Sequence, residues 1–351
     1  MAEGKGRASR WLSVLCGLVL AGCAVGGPLE APTGPPPMPH LDAIGGTALA
    51  VTEWPTERPQ AVIIAVHGYG DYGPSTFALA AKFWAGQGIS TYAYDQRGFG
   101  RNVSFGRWPG AEALVGDLLA VAKQVRARHA CTPLIVVGHS MGGGVALAAA
   151  GQGLDADGLV LAAPAIWGGA ELNPLYRVAA WGAAAFVPER RFTGEGVVSI
   201  QASDNIEMLR ALGHDPRYLY PPSAREIFGL VRVTDMAEAA AENVGLPALL
   251  LLGDKDEIVP NARVRRVFDR LTGQRLVIEY PDGWHLLFRD LQAERVWRDV
   301  AEWSLAIPRD AACGAGSGYD QRSMTTTHAA AIPSLTLPLS GGGDTAALSG
   351  A

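Results

Sequence analysis

Short apolar runs alternate with segments of helical periodicity between residues 47 and 305. The apolar runs predict buried strands at Ala61–Val66, Ile89–Tyr94, Leu134–Gly138, Leu159–Ala162, Ala248–Leu252 and Leu276–Tyr280, with a looser outer strand at Thr47–Glu53. Helices are predicted near residues 75–87, 111–129, 141–152, 262–271 and 287–304. Continuously apolar strands separated by helices are typical of a mostly parallel sheet with helices on both faces. The sequence therefore predicts an α/β fold whose ligands bind beyond the carboxyl ends of the strands.

The length and composition of the chain agree with a globular α/β domain. The chain has 351 residues, 48% of them hydrophobic, which is enough to bury one large core. It carries 29 Lys and Arg against 34 Asp and Glu, a net charge of −5, without a Lys/Arg block. Because nucleic-acid binding depends on clustered cations that displace counterions, nucleic acid is excluded as an expected partner.

The N-terminal residues predict an export signal. Lys5, Arg7 and Arg10 precede a short apolar stretch over residues 11–20, which is too short to span a bilayer. The following Leu20-Ala21-Gly22-Cys23 resembles the lipobox of bacterial lipoproteins. That resemblance implies a diacylated Cys23 as the mature N-terminus, and Ala24 after it implies delivery to the outer membrane of a Gram-negative bacterium. An ordinary cleaved signal and an uncleaved anchor remain open.

These features divide the chain into four predicted segments. They are a lipoprotein signal peptide (1–22), a Pro-rich tether (23–42), an α/β domain (43–305) and a flexible tail (306–351) in which Gly, Ser, Thr and Ala dominate. Outside the signal and the lipid site, the cysteines are Cys131 and Cys313. A disulfide between them and two free thiols are both compatible with an exported protein.

A serine in a Gly-rich turn is the candidate nucleophile. The Leu134–Gly138 strand ends in Gly138-His139-Ser140-Met141-Gly142, and a helix of small residues follows. The strand, sharp turn and helix in this order predict a nucleophile elbow, in which Ser140 projects its hydroxyl above the sheet. Gly138 and Gly142 leave room for the close approach of the backbone. The alternative is a structural Gly-rich turn with an idle serine.

A serine at its ordinary pKa needs a base, and the base needs an acid that orients it. His285 follows the last predicted strand and is the candidate base, whereas His139 rivals it only by proximity and His67 is expected to brace its loop. The candidate acids after the last two strands are Asp254, Asp256, Glu257 and Asp282. An order of Ser, acid and His along the chain is that of the α/β-hydrolases.

The remaining catalytic groups are backbone amides. In this architecture the oxyanion is held by the N–H of the residue after the nucleophile and by an N–H of an early strand–helix loop. Those residues are Met141 and Tyr69, the latter in His67-Gly68-Tyr69-Gly70. No cysteine and histidine cluster has the spacing of a zinc site, so neither a metal nor a cofactor is expected.

Several motifs together resemble the α/β-hydrolase superfamily and, within it, the monoacylglycerol lipase and lysophospholipase-like branch. They are HGYGDY (67–72), DQRGFGRN (95–102), GHSMGG (138–143), GDKDEIVP (253–260) and DGWH (282–285). The resemblance implies that Asp256 is the acid and that Arg97 braces the loops. It also implies that residues 43–305 form an α/β-hydrolase domain with an inserted helical cap over about 165–242. Within the cap, helices are predicted at residues 174–186, 205–212 and 234–241, and no cap residue is assigned to substrate binding.

The resulting hypothesis is a serine hydrolase that cleaves carboxylic esters of single-chain lipids through an acyl-enzyme. Its expected partners are a small lipid ester and, through the N-terminal lipid anchor, the membrane of the cell envelope, with no protein partner implied. A peptidase, thioesterase or acyltransferase on the same fold is the alternative, because fold does not determine the substrate. A non-catalytic envelope lipoprotein is the remaining possibility.

Overall fold

The computed structural model describes residues 39–168, 174–193 and 200–308. The predicted signal peptide, Cys23, most of the predicted tether and nearly all of the predicted tail lie outside the described residues. Cys131 is disulfide-bonded, so it is not one of two free thiols. In the described part of the chain, no helix combines the length and the apolar character needed to cross a bilayer.

The described residues form one eight-stranded sheet. Its strands are β1 (His40–Asp42), β2 (Ala48–Trp54), β3 (Ala61–Val66), β4 (Ile89–Tyr94), β5 (Leu134–His139), β6 (Gly158–Ala162), β7 (Ala248–Gly253) and β8 (Arg275–Tyr280). Their order across the sheet is β1-β2-β4-β3-β5-β6-β7-β8. β2 pairs antiparallel with both β1 and β4, and all pairs from β4 to β8 are parallel. The mostly parallel sheet is therefore confirmed.

Helices connect the parallel strands, build the cap and follow the last strand. They are α1 (Gly73–Gly86), α2 (Ala111–Arg128), α3 (Met141–Ala150), α4 (Pro174–Phe186), α5 (Ile206–Gly213), α6 (Ala224–Ala240), α7 (Asn261–Phe268) and α8 (Ala293–Ala306). Of these, α4, α5 and α6 lie between β6 and β7, in the segment predicted to be inserted as a cap. Each parallel crossover thus carries at least one helix, as parallel pairing requires.

Alternate residues of the central strands pack on opposite faces of the sheet. In β3, Val62, Ile64 and Val66 join a core that includes the apolar residues of α2, α3 and α7. Ile63 and Ala65 join a second core on the other face, built with α1 and α8. Because both faces are covered, every residue of β3, β4, β5 and β7 is buried. This explains why these strands have no polar periodicity in the sequence.

The largest departures from the sequence predictions are at β1, α8 and α6. β1 begins at His40, inside the segment assigned to the tether. α8 begins at Ala293 rather than 287, because Leu287 and Phe288 bury their side chains in the second core from a loop. α6 begins at Ala224, ten residues before the predicted start at 234. Its N-terminus is a capping box, a sequence signal that the apolar pattern alone does not carry.

Candidate active site

Ser140 occupies a strained turn between β5 and α3. Its backbone has φ 52° and ψ −119°, a conformation that side-chain-bearing residues rarely adopt. The turn is tightly packed: a Cβ on Gly138 would lie 2.5 Å from the Gly142 carbonyl oxygen, and one on Gly142 would lie 2.2 Å from the Val66 carbonyl oxygen. Only glycine fits at both positions. The turn therefore has the geometry of the predicted nucleophile elbow.

Ser140, His285 and Asp256 form a continuous hydrogen-bond chain. The Ser140 hydroxyl lies 2.9 Å from His285 Nε2, and His285 Nδ1 lies 2.9 Å from Asp256 Oδ2. The carboxylate only accepts, so Nδ1 carries the proton of the neutral ring and Nε2 is left to accept from the serine. The side chains of His285 and Asp256 are 5% and 0% exposed. This arrangement equips the imidazole to take a proton from Ser140.

The turn after β7 selects one acid among the four candidates. Asp256 Oδ1 accepts hydrogen bonds from the Ile258 and Val259 amides at 2.7 and 2.9 Å, which holds Oδ2 toward the imidazole. Asp254, Glu257 and Asp282 are exposed. Glu257 accepts from the Gln201 amide, and Asp282 forms an ion pair with Lys255. Of the four acids, Asp256 is the one that the structure joins to His285.

The other two histidines near Ser140 have different partners. His139 Nε2–H donates to the His285 carbonyl oxygen at 2.9 Å, and burial, followed by the charge of His285, lowers the pKa of His139 to about 3. His67 Nδ1–H donates to the Gly68 carbonyl and its Nε2 accepts from the Gln96 amide, both at 2.8 Å. His139 thus supports the His285 backbone, and His67 holds its own loop against the turn after β4.

The loop after β3 lies against Ser140 on the other side. A Cβ on Gly68 would lie 3.2 Å from the Ser140 Cβ, so this loop, here called the oxyanion loop (residues 67–71), directly borders the nucleophile. Met141 is the first residue of α3, where backbone amides have no partner within the helix. Among the described residues, neither the Tyr69 nor the Met141 amide donates a hydrogen bond. Both N–H groups are therefore available to an oxyanion.

Arg97 lies outside this cluster, as expected from its predicted bracing role. Its guanidinium makes two hydrogen bonds to Asp117 on α2, at 2.7 and 2.9 Å, and a third to the Ile44 carbonyl. It therefore joins the loop after β4 to α2 and to the turn before β2.

The cap is hydrogen-bonded to the oxyanion loop and to Tyr72, the residue that precedes helix α1. The bonds in the described part of the cap are Tyr69 Oη to Glu226 Oε2 at 2.8 Å, Tyr72 Oη to Asp215 Oδ2 at 2.6 Å, and the Leu219 amide to the Gly70 carbonyl at 2.7 Å. These cap residues were missed from the sequence. The Ser223-Ala-Arg-Glu226 capping box is a local signal for the start of α6, but nothing local indicates that Glu226 also contacts Tyr69.

The cap also contacts the loop that carries His285, here called the histidine loop (residues 281–292). The contacts include the Leu286 amide to the Ala202 carbonyl at 3.0 Å, Ser203 Oγ to Asp290 Oδ1 at 2.6 Å, and Asn205 Nδ2 to the Arg289 carbonyl at 3.0 Å. Asp290 also accepts from the Trp284 amide, adjacent to His285, at 2.8 Å. The cap is thus attached to both loops that flank Ser140.

Comparison with known proteins relates this architecture to lipid hydrolases. A family model described as Hydrolase_4, serine aminopeptidase S33, matches residues 57–292. A monoacylglycerol lipase of Mycolicibacterium smegmatis is 28% identical over 277 residues, covering 74% of this chain and 94% of that protein. A monoglyceride lipase of Mus musculus is 26% identical over 287 residues, covering 80% of this chain and 93% of that protein.

Solved structures show the same fold. The monoacylglycerol lipase of Paleococcus ferrophilus has a TM-score of 0.63 at 21% identity, covering 74% of this chain and 99% of that one. A soluble variant of the monoglyceride lipase of Saccharomyces cerevisiae, in complex with a substrate analogue, has a TM-score of 0.63 at 21% identity, covering 80% and 98%. The predicted α/β-hydrolase fold is therefore confirmed.

Proposed function

Because this chain belongs to the Hydrolase_4 family of serine aminopeptidase-like hydrolases, we propose that it is a serine hydrolase that cleaves carboxylic esters of single-chain lipids. The observation that carries the proposal is the hydrogen-bond chain from the half-buried Ser140 through the buried His285 side chain to Asp256. Such a chain on a strained elbow matches the requirements of acyl transfer through a covalent intermediate.

The first half-reaction forms the acyl-enzyme. His285 Nε2 takes the proton of Ser140 as the Ser140 oxygen attacks the ester carbonyl, and Asp256 stabilises the imidazolium that results. The negative charge on the former carbonyl oxygen is held by the Tyr69 and Met141 amides. His285 then gives its proton to the leaving alcohol as the ester bond breaks. Loss of one oxyanion donor is expected to raise the barrier by about 3 kcal/mol.

The second half-reaction releases the fatty acid. His285 takes a proton from water as the water oxygen attacks the acyl carbon. The tetrahedral intermediate is held by the same two amides. His285 then returns the proton to Ser140 as the bond between Ser140 and the acyl group breaks. His139 donates to the His285 carbonyl throughout, and its depressed pKa keeps it uncharged at neutral pH.

A single-chain lipid ester is the substrate class that the relatives favour. Two of them are described as a monoacylglycerol lipase and a monoglyceride lipase, and each match covers more than 90% of the relative. The cap supports the same class, because helix α4 exposes Leu175, Val178, Trp181 and Phe186 on a surface that suits an apolar molecule. The family description names a serine aminopeptidase, so a peptidase is the alternative to be tested.

The site is proposed to act at the cell envelope. The support is the sequence of residues 1–23, which resembles a lipoprotein signal ending at Cys23 and implies a lipid anchor in the outer membrane. Metabolic labelling with a radioactive fatty acid tests this directly. The full chain should be labelled and a Cys23→Ser variant should not, whereas equal labelling of both would contradict the anchor.

Covalent labelling tests the nucleophile. A fluorophosphonate probe should label the purified protein and leave Ser140→Ala unlabelled, with Ser104→Ala, a serine in the loop after β4, as a control that labels normally. The substrate class is tested with monoolein, lysophosphatidylcholine, an acyl-CoA and aminoacyl anilides in parallel. Faster turnover of monoolein or lysophosphatidylcholine supports the lipid hydrolase, whereas preferred cleavage of the anilides would identify a peptidase.

A further inference from the structure

Tyr69 contributes to two parts of the molecule at once. Its backbone amide belongs to the oxyanion loop beside Ser140, and its side chain leaves that loop to enter the cap. There the hydroxyl donates to Glu226 Oε2 at 2.8 Å. The residue that offers an oxyanion donor is therefore held by the cap through its own side chain.

The acceptor in the cap is buried and held by other contacts. Glu226 is 1% exposed. Besides Tyr69, its Oε2 atom accepts from the Ser223 amide at 2.7 Å and lies 3.4 Å from Arg191 Nη1. Arg191 in turn donates to the Pro221 carbonyl at 2.6 Å. Because these partners belong to the cap, the carboxylate of Glu226 moves with the cap.

The tyrosine remains a hydrogen-bond donor over the whole range in which such enzymes are assayed. Burial, and after it the negative charge of Glu226, raises the pKa of Tyr69 well above its usual value. The Tyr69 ring also packs edge-on against Phe99, in the loop after β4, with 5.5 Å between ring centroids. The side chain is thus held at its hydroxyl by the cap and along its ring by the body of the domain.

The next residue shows how little room separates the cap from the loop. The Gly70 carbonyl accepts from the Leu219 amide at 2.7 Å, and a Cβ on Gly70 would lie 2.6 Å from the Leu219 carbonyl oxygen. Gly70 also has φ 79°, which favours glycine. The Leu219 backbone thus lies directly against the Gly70 backbone, without room for a side chain between the cap and the loop.

From these contacts we propose that Glu226 is a positioning residue, which sets the Tyr69 amide in the oxyanion hole through the Tyr69 hydroxyl. The oxyanion hole is complete only when the cap is seated, so the seating of the cap is coupled to the stabilisation of the transition state. This inference rests on the proposed function, because it assigns an origin to the geometry of one of that site's two oxyanion donors.

The test compares two tyrosines that both bond to the cap. Tyr69→Phe removes the hydroxyl that bonds Glu226, and Tyr72→Phe removes the one that bonds Asp215. The Tyr72 amide already donates to Asp71 Oδ1 at 2.9 Å, so Tyr72 is a matched control outside the oxyanion hole. The readouts are the rate constant of fluorophosphonate labelling, whose phosphoryl oxygen occupies the oxyanion hole, and kcat and KM on p-nitrophenyl butyrate.

Tyr69→Phe should slow labelling and lower kcat by about tenfold with KM changed by less than about twofold, since the loss falls on the transition state. Tyr72→Phe should remain within about twofold of the unsubstituted protein in both readouts. Equal rate constants for Tyr69→Phe and the unsubstituted protein overturn the inference and leave the proposed function intact. Absence of labelling in the unsubstituted protein overturns both.

A second variant separates positioning from general loss of structure. Glu226→Gln should alter the labelling rate constant in the unsubstituted background and have no further effect when combined with Tyr69→Phe, because the path through the hydroxyl is already broken. An equal effect in both backgrounds would place the action of Glu226 elsewhere and overturn the inference. In a destabilised variant, a smaller fraction of the protein is labelled. The rate constant for labelling of the folded fraction, by contrast, reports the geometry of the oxyanion hole.

Discussion

His285 Nδ1 lies 2.9 Å from Asp256 Oδ2, although the two residues follow different strands and stand 29 positions apart. The β7–β8 pairing is parallel, so the loops after both strands leave the same edge of the sheet. Asp256 directs its second oxygen to the Ile258 and Val259 amides. The acid is therefore oriented by its own turn as well as by the histidine.

Substitution of Asp256 should abolish most activity without unfolding the protein. Asp256→Asn keeps an oxygen for the two turn amides but no longer selects the tautomer of His285, so kcat should fall about 10⁴-fold. The matched control is Asp254→Asn, two positions earlier and exposed, which should keep its kcat. Steady-state kinetics on p-nitrophenyl butyrate measure kcat for both variants. A larger loss of kcat for Asp254→Asn than for Asp256→Asn would contradict the assignment of Asp256 as the acid.

The elbow should not tolerate a single added methyl group. In Gly142→Ala the new Cβ would meet the Val66 and His67 carbonyl oxygens at 2.2 and 2.5 Å, and both belong to the backbone. The free energy of unfolding should fall by about 1–3 kcal/mol, as in other overpacked sites, and labelling of Ser140 should be lost.

The same change in helix α4 serves as the control. A Cβ at Gly182 would have no atom within 4 Å, so Gly182→Ala should raise the free energy of unfolding by about 0.5–1 kcal/mol. Urea unfolding measures both variants. A stability of Gly142→Ala equal to that of the unsubstituted protein would contradict the packing described for the elbow.

Asp290 should be more important for stability than its position in a loop indicates. It is buried and accepts from Ser203 of the cap and from the Trp284 amide. Asp290→Ala leaves both donors without this acceptor, which should cost about 1–3 kcal/mol. Asp282→Ala is the control, because its carboxylate is 66% exposed and pairs with an exposed lysine. That variant should change stability by less than about 0.5 kcal/mol in the same unfolding experiment.

Stability should decline on acidification below pH 6.5. Burial, and then the charge of His285, lowers the pKa of His139 from 6.5 to about 3. Between these values the unfolded chain binds a proton that the folded chain does not, so stability is present above pH 6.5 and is lost as pH falls toward 3. Burial also lowers the pKa of His67, which acts in the same direction.

The expected slope from His139 alone is about 1.4 kcal/mol per pH unit. Urea unfolding at several pH values between 4 and 7 measures this slope, and His139→Gln should flatten it. A variant with the slope of the unsubstituted protein would assign the acid sensitivity to other groups.

The sequence predicted the central strands closely because both of their faces are buried. β3 and β4 begin and end at the predicted residues, and β5, β6 and β7 differ by one residue at one end. An unbroken apolar run needs no knowledge of the partner strand to be recognised. Helix α6 was placed less well: the predicted start at 234 missed its first ten residues, although Ser223 and Glu226 mark the true start with a capping box.

The candidate site was predictable as far as each residue has a local signal. Ser140 stands in a strand–turn–helix sequence with glycines at fixed spacing, and His285 follows the last strand in the expected chain order. Asp256 and Asp254 share one turn and one chemistry, so their separation rested on the family resemblance. In the structure, the amides of Ile258 and Val259 separate them.

The sequence alone determined the alternation of strands and helices, the elbow and the order of the candidate residues, because each depends on neighbours within a few positions. Only the tertiary structure decided that Tyr69 meets Glu226, 157 positions away, and that the histidine loop meets the cap at Ser203. Contacts of this kind arise when separately formed loops are brought to one edge of the sheet. Their partners are set by the packing of the whole domain, which no local pattern records.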